Sequence, residues 1–175
     1  MPFLVGMLGA EFEAHEPPEL PSAPAGPAGR LVRGGGRRLG IMPTRLAVAV
    51  ETDLPPARLF EVLTDWPRHP EWMFLTTARV VAGDGRGVGS ELAAFTGVGR
   101  LGFLDTMTVT RWEPPAVVAV AHTGRLVRGV GIFRIGGGRL IWAEELSLPL
   151  GSLVRPAARL FMRWTLRRLV RAASG

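Results

Sequence analysis

The stretch TRLAVAVETDLPPARLFEVLTDWPRHPEWM, residues 44–73, changes its periodicity twice. Larger and smaller apolar residues alternate over 44–51, which is typical of a strand, and apolar residues then recur at helical spacing in PPARLFEVLTD. Pro67 and Pro70 prevent one continuous helix through the remainder. The order therefore predicts a strand, a short helix, and a second short helix or pair of turns.

The rest of the chain predicts a strand meander and one long helix. Glycine- and proline-rich turn signals such as GDGRG, TGVGR and EPP separate six further strand-like segments. These segments cover about 74–82, 88–96, 100–112, 116–123, 126–135 and 139–148. Residues 150–173 have helical periodicity. We therefore expect an α+β fold, in which a curved antiparallel sheet of about seven strands wraps around the C-terminal helix and encloses a hydrophobic cavity.

Two regions are distinguished by composition. Residues 1–41 contain six Pro and eight Gly, which predicts a disordered leader, and residues 42–175 carry the patterned domain. An upstream start-codon assignment, with Met42 as the true start, would produce this picture, and a genuine flexible tail would produce it too. We favour the first explanation.

Composition also limits the chemistry. The chain has no cysteine, so it forms neither a disulfide nor a thiolate metal site, and its three histidines are scattered. We therefore expect no metal and no cofactor. All basic residues are arginine, which indicates a GC-rich, bacterial genome. Without a signal peptide or a long apolar run, the protein is expected to be cytoplasmic.

Several motifs in this order resemble the START/polyketide-cyclase-like helix-grip superfamily, often called SRPBCC. The resemblance covers 42–175 and begins with the opening strand and DLPPARLFEVLTDWPRHPEWM. It continues through GVGSEL, VTRWEPP, AHTGRLVRG and IWAEELSLPLG to the arginine-rich final helix. It implies a cavity for small apolar or amphipathic molecules such as lipids, polyketides or quinones.

That resemblance does not decide whether the protein is an enzyme. We expect non-covalent binding of a small hydrophobic ligand. A cyclase or dehydratase using the same cavity without a cofactor is the first alternative. A membrane-surface helper acting through the basic C-terminal helix is the second.

Three residues are candidates for proton transfer. In the strand at 100–112, Phe103, Asp105 and Met107 share one face. Asp105 is therefore expected to be a lone acid in the cavity wall. If the strand bulges, Asp105 lies at the surface instead. His122 ends an apolar strand, where it either serves as a donor or acid/base or is simply a hydrogen-bonded strand-end residue.

Glu144 is the third candidate. It shares a strand face with Trp142, and if that face points inward, Glu144 is a buried acid that needs a partner such as Arg128 or Arg134. If the opposite face points inward, Glu145 takes that place. The first arrangement is favoured.

Aromatic residues supply most of the remaining predicted ligand contacts. By the resemblance, the segment after the first helix forms a lip of the cavity mouth, where Trp66 and Trp72 would contact ligand or simply pack the helices. His69 is expected to be solvated, because charged and proline residues flank it. The full ligand-binding set is predicted to be Trp66, Trp72, Phe74, Phe103, Asp105, Met107, His122, Arg128, Phe133, Trp142, Glu144, Phe161 and Trp164.

The net charge of +6 resides entirely in the last helix, because residues 155–175 carry six Arg and no acid. Phe161 and Trp164 are predicted to face the sheet. Five arginines at four-residue intervals are predicted to form a basic stripe on the helix. This stripe is either simply solvated or weakly associated with an anionic membrane surface. Nucleic acid is not expected as a partner, because no aromatic stacking platform accompanies the charge. The stripe consists of Arg155, Arg159, Arg163, Arg167 and Arg171.

Overall fold

The computed structural model describes residues 43–147 and 151–175. Seven strands and three α-helices follow in the predicted order, and the segment predicted to be disordered, 1–41, lies outside the described residues. The elements are β1 (Pro43–Glu51), α1 (Pro56–Thr64), a 3-10 turn (Trp66–Arg68), α2 (His69–Trp72), β2 (Thr76–Ala82), β3 (Glu91–Val98), β4 (Leu101–Glu113), β5 (Val117–His122), β6 (Gly129–Gly136), β7 (Arg139–Ser147) and α3 (Gly151–Ser174).

All seven strands belong to one antiparallel sheet in the order β1-β7-β6-β5-β4-β3-β2. Strands β2 to β7 pair with their neighbours in the chain, as short turns require, and β1 pairs with β7 at the far edge. The sheet curves, and α3 packs on it, so the predicted α+β helix-grip architecture is confirmed.

The core lies between the concave face of the sheet and the helices. Helix α1 buries Leu59, Phe60, Val62 and Leu63, and Pro56 begins it at a position where no N–H partner is needed. The buried face of α3 consists of Met162, Thr165, Leu166, Leu169 and Ala173.

The prediction of which α3 residues face the sheet was wrong in part. Phe161 and Trp164 are each 39% exposed, and Trp164 packs against Phe74 and Arg168 rather than against a strand. The buried positions of α3 are 162, 165, 166, 169 and 173, and they define the face that packs on the sheet. Trp164 lies outside that buried face.

The five arginines of the predicted stripe are all exposed, but they do not form one straight face. A four-residue step advances about 40° beyond a full turn, so the row rotates by roughly 160° from Arg155 to Arg171. Arg163 and Arg167 consequently lie beside Glu51 and Arg139 at the edge formed by β1 and β7. None of the helices in the described ranges is long and apolar enough to cross a membrane.

Candidate ligand-binding site

A cavity of about 370 Å³ lies between the concave face of the sheet and the three helices. Its walls are almost entirely apolar: they include Leu46 and Leu146 from the far edge of the sheet, Val118 and Val120 from β5, and Met162 from α3. This volume is at the low end of the range of about 300–1,000 Å³ found for small-molecule sites. The space can therefore hold a compact organic molecule within the fold.

The helical wall of the cavity contains a histidine between two tryptophans. The His69 ring lies 5.2 Å from the Trp66 ring and 4.5 Å from that of Trp72, measured between centroids. Trp66 Nε1 donates a hydrogen bond to the Gly85 carbonyl at 2.9 Å, which fixes its ring against the turn before β3. Both tryptophans are buried, so they form an inner wall rather than an exposed lip.

The prediction that His69 is solvated was wrong. His69 is buried, and its Nδ1 lies 3.3 Å from the Asp65 carbonyl oxygen. A carbonyl only accepts, so this contact requires the proton on Nδ1. Burial lowers the pKa of His69 to about 4, because the hydrogen bonds to the Asp65 and Trp66 backbone only partly offset the loss of hydration. His69 is therefore neutral at pH 7.

The sheet wall carries a cluster of three ionisable side chains, which we call the acid–His–acid cluster: Asp105, His122 and Glu144. His122 Nδ1 lies 2.7 Å from Asp105 Oδ2, a short and directed hydrogen bond. His122 Nε2 lies 3.2 Å from Glu144 Oε2, close enough for an ion pair, although it does not have the direction of a hydrogen bond. Trp142 Nε1 donates to Glu144 Oε1 at 2.6 Å.

Strand register brings these groups together from β4, β5 and β7. Met107 is the direct partner of His122, so Asp105, two residues earlier, is a diagonal neighbour on the same face. Strand β6 separates His122 from Glu144, but it presents glycine there. A Cβ at Gly131 would lie 2.7 Å from Glu144 Oε1, so the absence of a side chain at Gly131 leaves the space that Glu144 occupies.

The electrostatics of the cluster are the reverse of those at His69. Burial would lower the pKa of His122, but its hydrogen bond to Asp105 and its contact with Glu144 outweigh burial and raise that pKa to about 10. At neutral pH His122 is an imidazolium between two carboxyl groups. Its side chain is only 8% exposed.

The acid–His–acid cluster also has unused hydrogen-bonding capacity. Within the described part of the chain, Asp105 Oδ1 and Glu144 Oε2 accept no hydrogen bond although both atoms are buried. Buried polar atoms without partners are uncommon in folded proteins. Small rotations of either carboxyl group would allow it to accept a hydrogen bond from a molecule in the cavity.

Ten of the thirteen predicted ligand-contacting residues line this cavity. The inward face of β4, with Phe103, Asp105 and Met107, agrees with the predicted alternation, and Glu144 rather than Glu145 points inward. Glu145 instead pairs with Arg45 at 3.2 Å on the other face of the sheet. The ten are Trp66, Trp72, Phe103, Asp105, Met107, His122, Phe133, Trp142, Glu144 and Phe161.

The remaining three predicted residues do not line the cavity. Phe74 and Trp164 contact each other at its outer rim, with ring centroids 5.8 Å apart. Arg128 precedes β6 in a loop and donates to the Gly124 carbonyl at 3.3 Å, so the alternation of the strand does not apply to it. The expected pairing of Glu144 with Arg128 or Arg134 was therefore wrong, since His122 takes that place.

Sequence reasoning missed two features of the site. Trp66, His69 and Trp72 are spaced three residues apart, a spacing that would have indicated one helical face. The second is Gly131, whose role depends on a neighbouring strand. Among the described residues, no group of His, Asp and Glu has the geometry of a metal site.

Solved structures of several proteins share this fold. A Chromobacterium violaceum protein, CV1439, matches with a TM-score of 0.62 at 13% identity, covering 76% of this chain and 99% of that one. The Zhui aromatase/cyclase from Streptomyces sp. R1128 matches with a TM-score of 0.57 at 16% identity, covering 76% and 94%.

The di-domain ARO/CYC StfQ from the steffimycin biosynthetic pathway matches with a TM-score of 0.63 at 9% identity. That match covers 77% of this chain and 51% of the di-domain protein. No protein-family model matches the sequence, and the search of curated proteins gave no match. At these identities the likeness establishes the fold, which is the one that the sequence motifs resemble.

Proposed function

We propose that the protein binds a small, predominantly apolar molecule non-covalently in its internal cavity. The observation that carries this proposal is a cavity of about 370 Å³ with apolar walls and one charged cluster. Such a site stabilises a ligand mainly by removing apolar surface from water, while the few polar groups select its orientation.

The chemistry of the acid–His–acid cluster narrows the ligand class. Asp105 Oδ1 and Glu144 Oε2 are buried acceptors that receive no hydrogen bond, although His122 Nε2 lies 3.2 Å from Glu144 Oε2. A hydroxyl or phenol group of a ligand could donate a hydrogen bond to either oxygen, whereas a carboxylate has no hydrogen to donate. We therefore expect a neutral ligand with at least one hydrogen-bond donor.

Binding can be tested with N-phenyl-1-naphthylamine, a neutral fluorescent probe that is apolar and carries one N–H donor. The full chain should enhance its fluorescence, and Met107→Trp, which fills the cavity from β4, should abolish the enhancement. Thr110→Trp is the matched control, because Thr110 is exposed on the other face of the same strand. Equal binding by the two variants would place the probe outside the cavity and contradict the proposal.

The acid–His–acid cluster also favours a second candidate function, a cyclase or dehydratase activity. The aromatase/cyclases with the same fold make it worth testing. In such a reaction Glu144 or Asp105 would remove a proton from a carbon between two carbonyl groups. The carbanion would attack another carbonyl of the same molecule, and the imidazolium of His122 would protonate the new alkoxide before water leaves. A pKa of about 10 suits His122 as an acid toward an alkoxide and excludes it as a base at neutral pH.

The two functions differ in what mutation of the cluster does. A carrier should keep N-phenyl-1-naphthylamine bound and leave a linear poly-β-ketone unchanged. An enzyme should convert the poly-β-ketone to a product lighter by one water. The double variant Asp105→Asn, Glu144→Gln should then abolish conversion without abolishing probe binding, because both candidate bases are lost. Mass spectrometry of the poly-β-ketone after incubation separates the two functions directly.

A further inference from the structure

Several segments at one end of the sheet carry exposed apolar side chains near the cavity opening, and we call this end the mouth face. It comprises the β3–β4 turn, the β5–β6 loop, the segment before β2 and the first turns of α3. Phe103 and Phe161 line the cavity and are also exposed, so the cavity opens here. Leu101 is 84%, Leu160 72% and Leu126 66% exposed at this end.

Contacts within the mouth face join these segments. The Gly97 N–H donates to the Leu75 carbonyl at 2.9 Å, which ties the segment before β2 to β3. Phe74 packs edge-on against Trp164, and Trp164 lies 6.3 Å from Phe161 between ring centroids. Phe74, Trp164 and Phe161 therefore form one apolar group beside the cavity opening, and Leu101 and Leu126 lie in turns at the same end of the sheet.

The charge on the mouth face is mainly positive. Arg100, Arg125, Arg155 and Arg159 are exposed there. The acid Glu71, which lies near Trp164, is paired with Arg68. The sequence has no Asp or Glu over 92–104, 123–128 or 146–175, which include the β3–β4 turn, the β5–β6 loop and α3. The opposite end of the sheet, in contrast, carries acids such as Asp84 and Glu113, and Glu113 pairs with Arg111.

We propose that the mouth face docks on an anionic lipid bilayer. Exposed Leu, Phe and Trp side chains match the interfacial layer of a membrane, and arginines beside them match anionic headgroups. The orientation would bring the cavity opening to the lipid. In this orientation a ligand could pass between the bilayer and the cavity, an idea that rests on the proposed binding function. Docking on the bilayer does not itself require a bound ligand.

The test is co-sedimentation of the full chain with vesicles of phosphatidylcholine alone or mixed with phosphatidylglycerol. Binding should occur with the mixture and weaken as salt is added. The double variant Leu101→Glu, Leu160→Glu should lower the affinity by at least about tenfold. Val88→Glu is the matched control, because Val88 is 68% exposed in the loop between β2 and β3 at the opposite end.

Three results would overturn the proposal. One is absence of binding to the anionic vesicles, and another is an equal loss of binding with Val88→Glu. The third is a dimer in analytical ultracentrifugation that Leu101→Glu dissociates, since the mouth face would then be a contact between copies. Binding of N-phenyl-1-naphthylamine by the same variants separates the two proposals. If the protein binds the probe but not the vesicles, membrane docking is wrong and the cavity function stands. If it binds the vesicles but not the probe, the cavity function is wrong and membrane docking stands.

Discussion

The two walls of the cavity each hold a histidine side chain shielded from water, and at neutral pH one of the two is neutral while the other is positively charged. On the helical wall, two tryptophan rings surround His69, and burial lowers its pKa to about 4. On the sheet wall, Asp105 and Glu144 flank His122, and their interactions raise its pKa to about 10 despite burial. Burial alone therefore does not determine the state of a histidine; the partners within hydrogen-bonding reach do.

This difference gives the cavity one neutral wall and one charged wall. A ligand in the cavity would meet aromatic surface on the side of α2 and a fixed charge on the sheet. The arrangement suits a molecule that is apolar over most of its surface and polar at one point. Replacing each histidine in turn should therefore have different effects on the two walls.

The largest difference is expected in the free energy of unfolding when each histidine is replaced by leucine. His122→Leu removes the cation between two buried carboxyl groups and should cost about 3–5 kcal/mol at pH 7. His69→Leu keeps an apolar side chain between Trp66 and Trp72, and its main loss is one hydrogen bond, about 1 kcal/mol. Urea denaturation of both variants measures the two values.

The cost of His122→Leu should disappear when the carboxyl groups are also replaced. A triple variant, Asp105→Leu, His122→Leu and Glu144→Met, should recover most of the stability, because apolar side chains commonly replace a buried ionic cluster at little cost. Equal costs for the two single variants, or a triple variant no more stable than His122→Leu, would contradict the charged-wall account.

An effect of similar size is expected on the pH dependence of stability. Because folding raises the pKa of His122 from 6.5 to about 10, its contribution is complete below pH 6.5 and is lost as pH rises toward 10, a change on the order of 5 kcal/mol. Because folding lowers the pKa of His69 from 6.5 to about 4, its effect has the opposite direction, and stability falls by about 3 kcal/mol as pH drops from 6.5 to 4.

The measurement is thermal or urea unfolding of wild type, His122→Gln and His69→Gln across this pH range. In His122→Gln the free energy of unfolding should no longer fall between pH 6.5 and 10 (the alkaline limb), while its fall between pH 6.5 and 4 (the acid limb) should remain. In His69→Gln the acid limb should disappear and the alkaline limb should remain. A His122→Gln profile parallel to that of wild type above pH 7 would show that His122 is not held as an imidazolium.

The smallest effect concerns the glycine between His122 and Glu144. Gly131→Ala should displace the Glu144 carboxyl group and lower the pKa of His122 without changing any ionisable residue. Gly136→Ala on the same strand is the matched control, because a Cβ there meets nothing within 4 Å. If both variants leave the alkaline limb of the stability profile unchanged, Gly131 has no part in positioning the cluster.

Much of the fold could be predicted from the sequence because turn residues separate the strands and α3 has clear helical periodicity. Two-residue alternation predicted which residues of β4 and β7 share a face, but it left Glu145 as the alternative to Glu144 at the inward position. Contact between His122 and Glu144 could not be predicted in this way, since it depends on three strands and on the missing side chain of Gly131. For Arg128 the alternation failed because the residue lies in a loop.

The local surroundings of His69 and Trp164 were misleading in a different way. Prolines and charged residues beside His69 suggested solvent, but the 3-10 turn and α2 rotate its ring inward between Trp66 and Trp72. Trp164 was assigned to the sheet side because helical periodicity places it opposite the arginines, whereas it packs on Phe74 at the mouth face.

The most direct test of the central claim, an apolar cavity with one charged wall, is an NMR titration of the histidine side chains in the full chain, with His69→Gln and His122→Gln to assign the resonances. We predict that His122 stays protonated until the pH approaches 10 and that His69 stays neutral until it approaches 4. If both histidines titrated near 6.5, His122 would not be held as an imidazolium between Asp105 and Glu144, and the charged-wall account would be wrong.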